Sequence, residues 1–309
     1  MFGLHAVRNE GCRLSDRTCN GGVGLMKSTV RTVGAGQVVG LRERAPGHAV
    51  IHALCAGPGS IRSRGRLARF FGVRPLSKDG YRWYRGALGE IAVGRLLSRL
   101  DSDWVVLHAV PVGRGDADID HVVVGPAGVF TVNTKNHSGK RVWVAGHTFM
   151  VSGLRQDHIR NADFEGRRAA KLLGKALGFP VQVRPLIVVL DPQRLTVKER
   201  PVGVDVVEAR RLVRSLTKRP AVLGPEAVVQ IASVIGEPTT WGHQPDDAAD
   251  LDRRAQFDAL QATIRAATAV RLVWVFALVA VIGWAAVLAG PELFRLLTMA
   301  ITRLLGGSV

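Results

Sequence analysis

The alternation of hydrophobic and polar positions divides the chain at about residue 80. Before that point no period is sustained, whereas residues 86–100 place their leucine, isoleucine and alanine side chains at the spacing of one helical face. Several apolar runs of strand length follow this helix, and a basic amphipathic helix interrupts them. This order predicts a mixed α/β domain over residues 80–241.

Short β-branched runs give the expected strands of this domain. Strands are predicted at residues 104–112, 118–126, 128–135, 141–146, 147–153, 183–191 and 202–208. The run at 183–191 is almost entirely apolar, which is typical of a strand buried on both faces. Further helices are predicted at residues 161–177, 208–216 and 225–236.

A run of twenty residues without a charge, 272–291, follows the domain. As a helix it would extend about 30 Å, the thickness of a bilayer core, so it predicts one transmembrane helix. A helix buried in a protein core is the alternative. A linker with an amphipathic helix (242–270) is expected before it and a short apolar tail (292–309) after it. Basic residues are more frequent before the run, which predicts a single-pass protein of the cell membrane with its large domain in the cytoplasm.

Residues 1–75 are rich in glycine, arginine and serine and predict a largely disordered basic arm. The first residues contain no apolar stretch of signal-peptide length, and Met26 offers an alternative start. All cysteines of the chain lie in this arm: Cys12, Cys19 and Cys55. With His52 they are a candidate zinc site, although their spacing matches no compact zinc motif.

The formal net charge of +17 favours polyanionic partners, either nucleic acid or an anionic membrane surface. Residues 60–74 combine arginines with apolar side chains and could contact phosphates or lipid head groups, with a flexible arm as the alternative. Basic side chains also follow the helix at 161–177, where they suit a phosphate backbone unless they form only a solvated face. The candidate nucleic-acid contacts there are Arg160, Arg167, Arg168 and Lys171.

Two neighbouring strands place polar residues on one face of the predicted sheet. The segment GPAG (125–128) joins them and predicts a hairpin turn centred near residues 126 and 127. In that register Asp120 lies opposite Asn133, and Asp118 lies near Lys135. Directly opposed side chains are about 5 Å apart at Cβ, so two acids, one amide and one lysine would converge.

Adjacent carboxylates repel each other and need a counter-charge. Mg²⁺ would provide one, because it prefers one or two carboxylates together with water and substrate phosphates. Lys135 could then orient a water or neutralise a phosphate during phosphodiester hydrolysis. The alternative is a surface salt bridge between Asp118 and Lys135, with Asp120 capping the turn. His121 alternates to the other face, where a structural role is expected.

Three motifs together make the chain from about residue 82 to 241 resemble the nuclease-related domain family, a branch of the PD-(D/E)xK restriction-endonuclease-like superfamily. The motifs are GALGE (86–90), DIDHVVVGPAGVFTVNTKN (118–136) and RNADFEGRRAAKLL (160–173). The resemblance implies a restriction-endonuclease-like mixed sheet flanked by helices. It also implies cleavage of DNA or RNA with Mg²⁺ or Mn²⁺, and no small-molecule cofactor.

Carried over by motif, the resemblance assigns four catalytic positions. Glu90 matches the helix acid, Asp120 the central metal ligand and Lys135 the catalytic lysine. Asn133 falls where the superfamily has its second acidic ligand, and an amide offers one neutral oxygen without a charge. Asp118, on the same face as Asp120, or Glu90 could compensate at the metal.

The family's polar motif on the following helix, an Asn-Pro and Gln pattern, is also altered. The segment QDHIRN (156–161) is expected in its place, with four candidate substitutes: Asp157, His158, Arg160 and Asn161. These departures leave three hypotheses: a metal-dependent nuclease, a non-catalytic nucleic-acid-binding or adaptor module, and a membrane-associated scaffold for anionic lipid.

Overall fold

The computed structural model describes residues 40–112, 118–242 and 250–305. Its helices are α1 (His48–Ala56), α2 (Arg66–Phe70), α3 (Lys78–Leu97), α4 (His158–Leu177), α5 (Leu212–Thr217), α6 (Pro225–Ile235) and α7 (Asp250–Leu305). Its strands are β1 (Val105–Pro111), β2 (Asp118–Gly125), β3 (Gly128–Asn136), β4 (Arg141–Ala145), β5 (Thr148–Val151), β6 (Leu154–Gln156), β7 (Val183–Leu190), β8 (Arg194–Glu199) and β9 (Asp205–Glu208).

A five-stranded mixed sheet forms the centre of the domain, in the order β1-β2-β3-β7-β9. Strands β1, β2 and β3 are antiparallel, whereas β7 and β9 run parallel to β3. Alternate side chains of β2 enter different cores: Val122 and Val124 pack towards α4 and α6, and Val123 packs towards α3 and α5. The expected mixed α/β architecture with helices on both faces is therefore confirmed.

The β2–β3 hairpin has the register that the turn sequence predicts. Gly125 pairs with Gly128 across the two-residue turn, and His121 pairs with Val132. Continued by one position, this register places Asp120 beside Asn133. The turn length fixes which residues are opposed, and directly opposed residues share one face of the sheet.

A second sheet of four strands lies beside the first, in the order β6-β5-β4-β8. It packs through Val144 and Phe149 against Ile159 of α4 and Val189 of β7. Strands β4 and β5 were expected, whereas β6 and β8 were not. Both unexpected strands are short and contain exposed charged residues, so they lack the apolar alternation that predicts a strand.

The second part of the segment that was predicted to be a disordered arm, residues 40–75, is folded in the structure. Helix α1 buries Ile51 and Leu54 in a cluster with Ile91 of α3 and Phe257 of α7. This burial, and not any periodicity along the chain, orders the segment. The part of the arm before residue 40 lies outside the described residues, and so do Cys12 and Cys19.

Helix α7 joins three segments that the sequence suggested were separate. Its first part belongs to the amphipathic helix expected within 242–270, and it buries Phe257, Leu260 and Ile264 in the domain. From Leu272 to Thr302 the side chains of the helix are exposed, and the helix continues through Pro291 into the apolar tail. Its most apolar window has a mean hydropathy of 2.6 and contains no buried residue. By length and composition this helix could cross a membrane.

Helix α4 approaches β7 closely at Gly166, where an added Cβ would collide with the ring of Pro185. We expect Gly166→Ala to destabilise the fold by about 1–3 kcal/mol through overpacking. Gly174→Ala, in the same helix, is the matched control because its Cβ would meet only ordinary contacts. Thermal unfolding of the full chain in detergent should show a lower midpoint for Gly166→Ala alone. Equal midpoints for the two variants would contradict this close approach.

Candidate active site

Three of the predicted site residues line one cleft of about 500 Å³. Glu90 enters it from α3, Asp120 from β2 and Lys135 from the end of β3. Arg82 and the half-exposed Trp83 border the same cleft. A larger cavity, of about 980 Å³, is lined by residues of β8 and β9 and contains none of these groups.

Glu90 reaches the sheet because α3 has no side chain at Gly89. A Cβ at Gly89 would press against Thr134 and Leu190. Only 5% of Glu90 is exposed, and the backbone amide of Gly47 bonds to its carboxylate. Its Oε2 atom is buried without a hydrogen-bond partner. The N-terminal end of α1 therefore contributes to a site that the sequence assigned to residues after 80.

The two aspartates of β2 differ in their partners. Asp120 accepts a hydrogen bond at 2.5 Å from the backbone amide of Thr134, so its carboxylate is fixed against the end of β3 and not against the turn. Asp118 has one buried oxygen, Oδ2, without a partner. Among the described side chains no ion pair joins Asp118 to Lys135, so the alternative of a simple salt bridge is not what the fold forms.

A carboxylate from α4 lies against the asparagine that replaces the expected acid. Asn133 donates from Nδ2 to both oxygens of Glu165, at 2.9 and 2.8 Å. Its own carbonyl oxygen is buried and has no partner. Position 133 therefore lacks a charge, but a negative charge from the neighbouring helix lies within hydrogen-bond distance of it.

Sequence reasoning missed Glu165 and named other residues of the same region. Asp157 and Arg160 pair with each other at the surface. His158 lies with its Nε2 atom 3.1 Å from Nε2 of His137, and Asn161 is exposed. A signal for Glu165 did exist: it is an acid beside the buried stripe of a mainly basic helix, whose other acid, Asp163, pairs with Arg167.

Burial makes the negative charges of this cluster unfavourable. Desolvation raises the pKa of Glu90 well above its usual value, and nearby Asp120 and Asp118 raise it further. Desolvation and Asp120 also raise the pKa of Asp118 to about 7. Desolvation raises the pKa of Asp120 and of Glu165, while Lys135 opposes both shifts. The cluster is therefore short of positive charge.

Lys135 lies between two fixed points of β3. On one side the amide of Thr134 is bonded to Asp120. On the other side Asn136 accepts a hydrogen bond at 2.8 Å from Arg85 and donates one at 2.9 Å to the carbonyl of the same residue. These bonds attach the end of the strand to α3 and hold the lysine in the cleft.

The histidines near the hairpin have structural partners. His121 is fully buried, with its Nδ1 atom 2.8 Å from Nδ1 of His108. Burial lowers the pKa of His108 to about 4 and that of His121 well below its usual value, so neither is charged at neutral pH. The expected structural role of His121 agrees with this placement.

The side chains of the cluster offer the oxygen ligands that a hard cation prefers, although they do not enclose a metal site. Three buried oxygens that lack a hydrogen-bond partner belong to Glu90, Asp118 and Asn133. In the described part of the chain, no group of three or more His, Cys, Asp or Glu side chains is arranged so that it could hold a metal ion by itself. Mg²⁺ usually takes one or two carboxylates and completes its shell with water and phosphate, so an open set of oxygens suits it.

Comparison with known proteins gives a matching family. Residues 85–190 match the family model of the nuclease-related domain. The chain contains a nuclease-related domain. The matched range includes α3 from Arg85 onward, the β2–β3 hairpin, α4 and β7, and thus every acidic residue of the cluster. Nuclease-related domains are of the general PD-(D/E)xK type.

One relative is an uncharacterized protein of Bacillus anthracis, which is 43% identical over 67 residues. That match covers 20% of this chain and 30% of the relative. The chain therefore spans less than a third of the length of this curated relative. No solved structure matches the chain at a significant level.

The raised pKa of Asp118 predicts a pH dependence of stability. Because the folded state holds a proton on this carboxyl up to about pH 7, where the unfolded state has lost it, stability should fall between about pH 4 and pH 7. Asp118→Asn should therefore raise the unfolding midpoint in EDTA more at about pH 8 than at about pH 4. Asp191→Asn, at an exposed position, is the control. An equal gain at both pH values would contradict the assignment.

Proposed function

We propose that this chain is a membrane-anchored nuclease with a restriction-endonuclease-like fold, which hydrolyses phosphodiester bonds of DNA or RNA with Mg²⁺ or Mn²⁺. The observation that supports it most is the pair of hydrogen bonds between Asn133 and Glu165. Although position 133 carries no acid, the carboxylate of Glu165 therefore lies within hydrogen-bond distance of the place where the strand acid is expected.

The cation would be held by oxygens from two neighbouring strands, β2 and β3. Asp120 is the central ligand, Asn133 offers its free carbonyl oxygen and Asp118 lies on the same strand face. Glu90 and Glu165 add negative charge from the two flanking helices. Mg²⁺ held there would polarise a phosphoryl oxygen and lower the pKa of a bound water.

The remaining groups of the cleft suit the substrate. Lys135 is positioned to neutralise a phosphate or to orient the attacking water, because both neighbouring residues are fixed. Trp83 exposes 47% of its surface at the cleft and Arg82 lies beside it. An exposed indole stacks on nucleotide bases, and a guanidinium binds phosphate. The cleft thus combines an acid cluster with contacts for a nucleic-acid strand.

The exposed face of α4 supports nucleic acid as the partner. Phe164 exposes 66% of its surface, and basic side chains surround it at helical spacing. Arg160 and Arg167 also form ion pairs within the helix, which reduces their net charge. The basic residues of this face are Arg160, Arg167, Arg168, Lys171 and Lys175. The same face supports a second candidate function, a non-catalytic nucleic-acid-binding or adaptor module.

Membrane attachment would come from α7. Residues 272–291 would form the span and the region 80–241 the nuclease-related domain. The excess of basic residues before the span favours a cytoplasmic position for that domain. The first part of α7 packs into the domain, so the anchor and the domain would be joined without a free linker.

Cleavage of labelled single-stranded and duplex oligonucleotides by the full chain in detergent tests this function. Activity should require Mg²⁺ or Mn²⁺, and Asp120→Asn and Lys135→Met should each reduce it by about a hundredfold or more. Lys140→Met is the matched control, because this exposed lysine lies outside the cleft. Absence of metal-dependent cleavage, with binding that weakens steeply as salt rises, would favour the binding module instead.

A further inference from the structure

We infer that residues 61–76, here called the arginine loop, form a contact surface for anionic phospholipid beside the start of the membrane helix. The inference rests on the proposed insertion of α7 and adds a lipid preference to it. It is independent of the acid cluster.

The arginine loop is closed at its base by backbone pairing. Ile61 and Leu76 form an isolated β-bridge, and the amide of Arg62 donates to the carbonyl of Pro75 at 2.7 Å. Inside the loop, Arg64 donates to the carbonyl of Val73 at 3.1 Å. The loop contains α2 and has a defined shape, in contrast to the flexible arm expected from its composition.

The tip of the loop lies against α7 where the charge-free run begins. Trp274 donates from its indole nitrogen to the carbonyl of Phe70 at 2.7 Å, and the two rings are 4.9 Å apart. At Gly72 the loop backbone is so close to Ala267 and Arg271 that a Cβ would collide with them. If α7 enters a bilayer at Leu272, the tip is therefore held at the level of the head groups.

Apolar side chains on this loop are exposed to an unusual degree. Leu67 exposes 75% of its surface, Phe70 57%, Phe71 53% and Val73 46%. Apolar side chains exposed together beside a helix that could span a membrane suit insertion into the interfacial region of a bilayer.

The charge of the loop selects the kind of lipid. No acidic residue occurs between Glu43 and Asp79. The arginines of the loop are Arg62, Arg64, Arg66, Arg69 and Arg74. Each basic residue near an anionic leaflet strengthens the attraction by about fivefold. Nucleic acid shares the phosphate chemistry, but it offers no apolar phase for the leucine and phenylalanine side chains.

Amide hydrogen exchange of the full chain tests this surface in nanodiscs of phosphatidylcholine with and without phosphatidylglycerol. Amides of residues 61–74 should exchange about tenfold more slowly with the anionic lipid, and added salt should reverse this protection. The triple variant Arg62→Gln, Arg66→Gln, Arg69→Gln should lose the difference between the two lipids. A second triple variant at exposed arginines outside the loop, Arg155→Gln, Arg194→Gln, Arg200→Gln, should keep it.

Retention of the chain on nanodiscs during a high-salt wash tests the span separately. A retained chain whose loop exchanges equally in both lipids would overturn the lipid surface and leave the span intact. Equal but slow exchange in both lipids would identify a protein cover, such as a second copy of the chain, and would also overturn the proposal. Release of the chain would remove the basis of the proposal. Protection by an oligonucleotide and not by lipid would assign the loop to nucleic acid instead.

Discussion

The hydrogen bonds between Asn133 and Glu165 resolve the main electrostatic constraint of this molecule. Glu90, Asp118 and Asp120 already converge in a region that excludes much of the water, and desolvation raises the pKa of each. An acid at position 133 would lie directly against the carboxylate of Glu165. The amide removes that repulsion and donates to the helix acid instead. Asn133 and Glu165 therefore form a hydrogen-bonded pair in which the amide of one residue matches the carboxylate of the other.

The rest of the domain holds the elements that supply these acids. Two glycines allow close approach: Gly89 brings α3 to the end of β3, and Gly166 brings α4 to β7. Helix α1 and the first part of α7 pack on the outer side of α3. The helix that could enter the membrane thus begins as part of the core that supports Glu90. Cutting the chain before residue 250 would expose apolar surface of α3.

Local patterns predicted the central hairpin well. The two-residue turn fixes the register of β2 and β3, and directly opposed residues such as Asp120 and Asn133 share one face of the sheet. The short charged strand β8 and helix α1 could not be predicted, because only long-range packing orders them. Glu165 was missed for a related reason. Glu165 belongs to the cluster because α4 packs close to β3 in the folded domain. That tertiary contact cannot be inferred from the spacing of residues along the chain.

The most direct test exchanges the amide and the carboxylate between the strand and the helix. Mn²⁺ binding by the full chain in detergent can be followed by electron paramagnetic resonance of the free ion. Glu165→Gln should weaken binding by about tenfold or more, while Asp163→Asn on the same helix should not. The exchange variant Asn133→Asp, Glu165→Gln keeps both side-chain lengths and the total charge, so it should bind Mn²⁺ nearly as the wild type does. Equal binding by Glu165→Gln and the wild type, or failure of the exchange variant to regain affinity, would contradict the account.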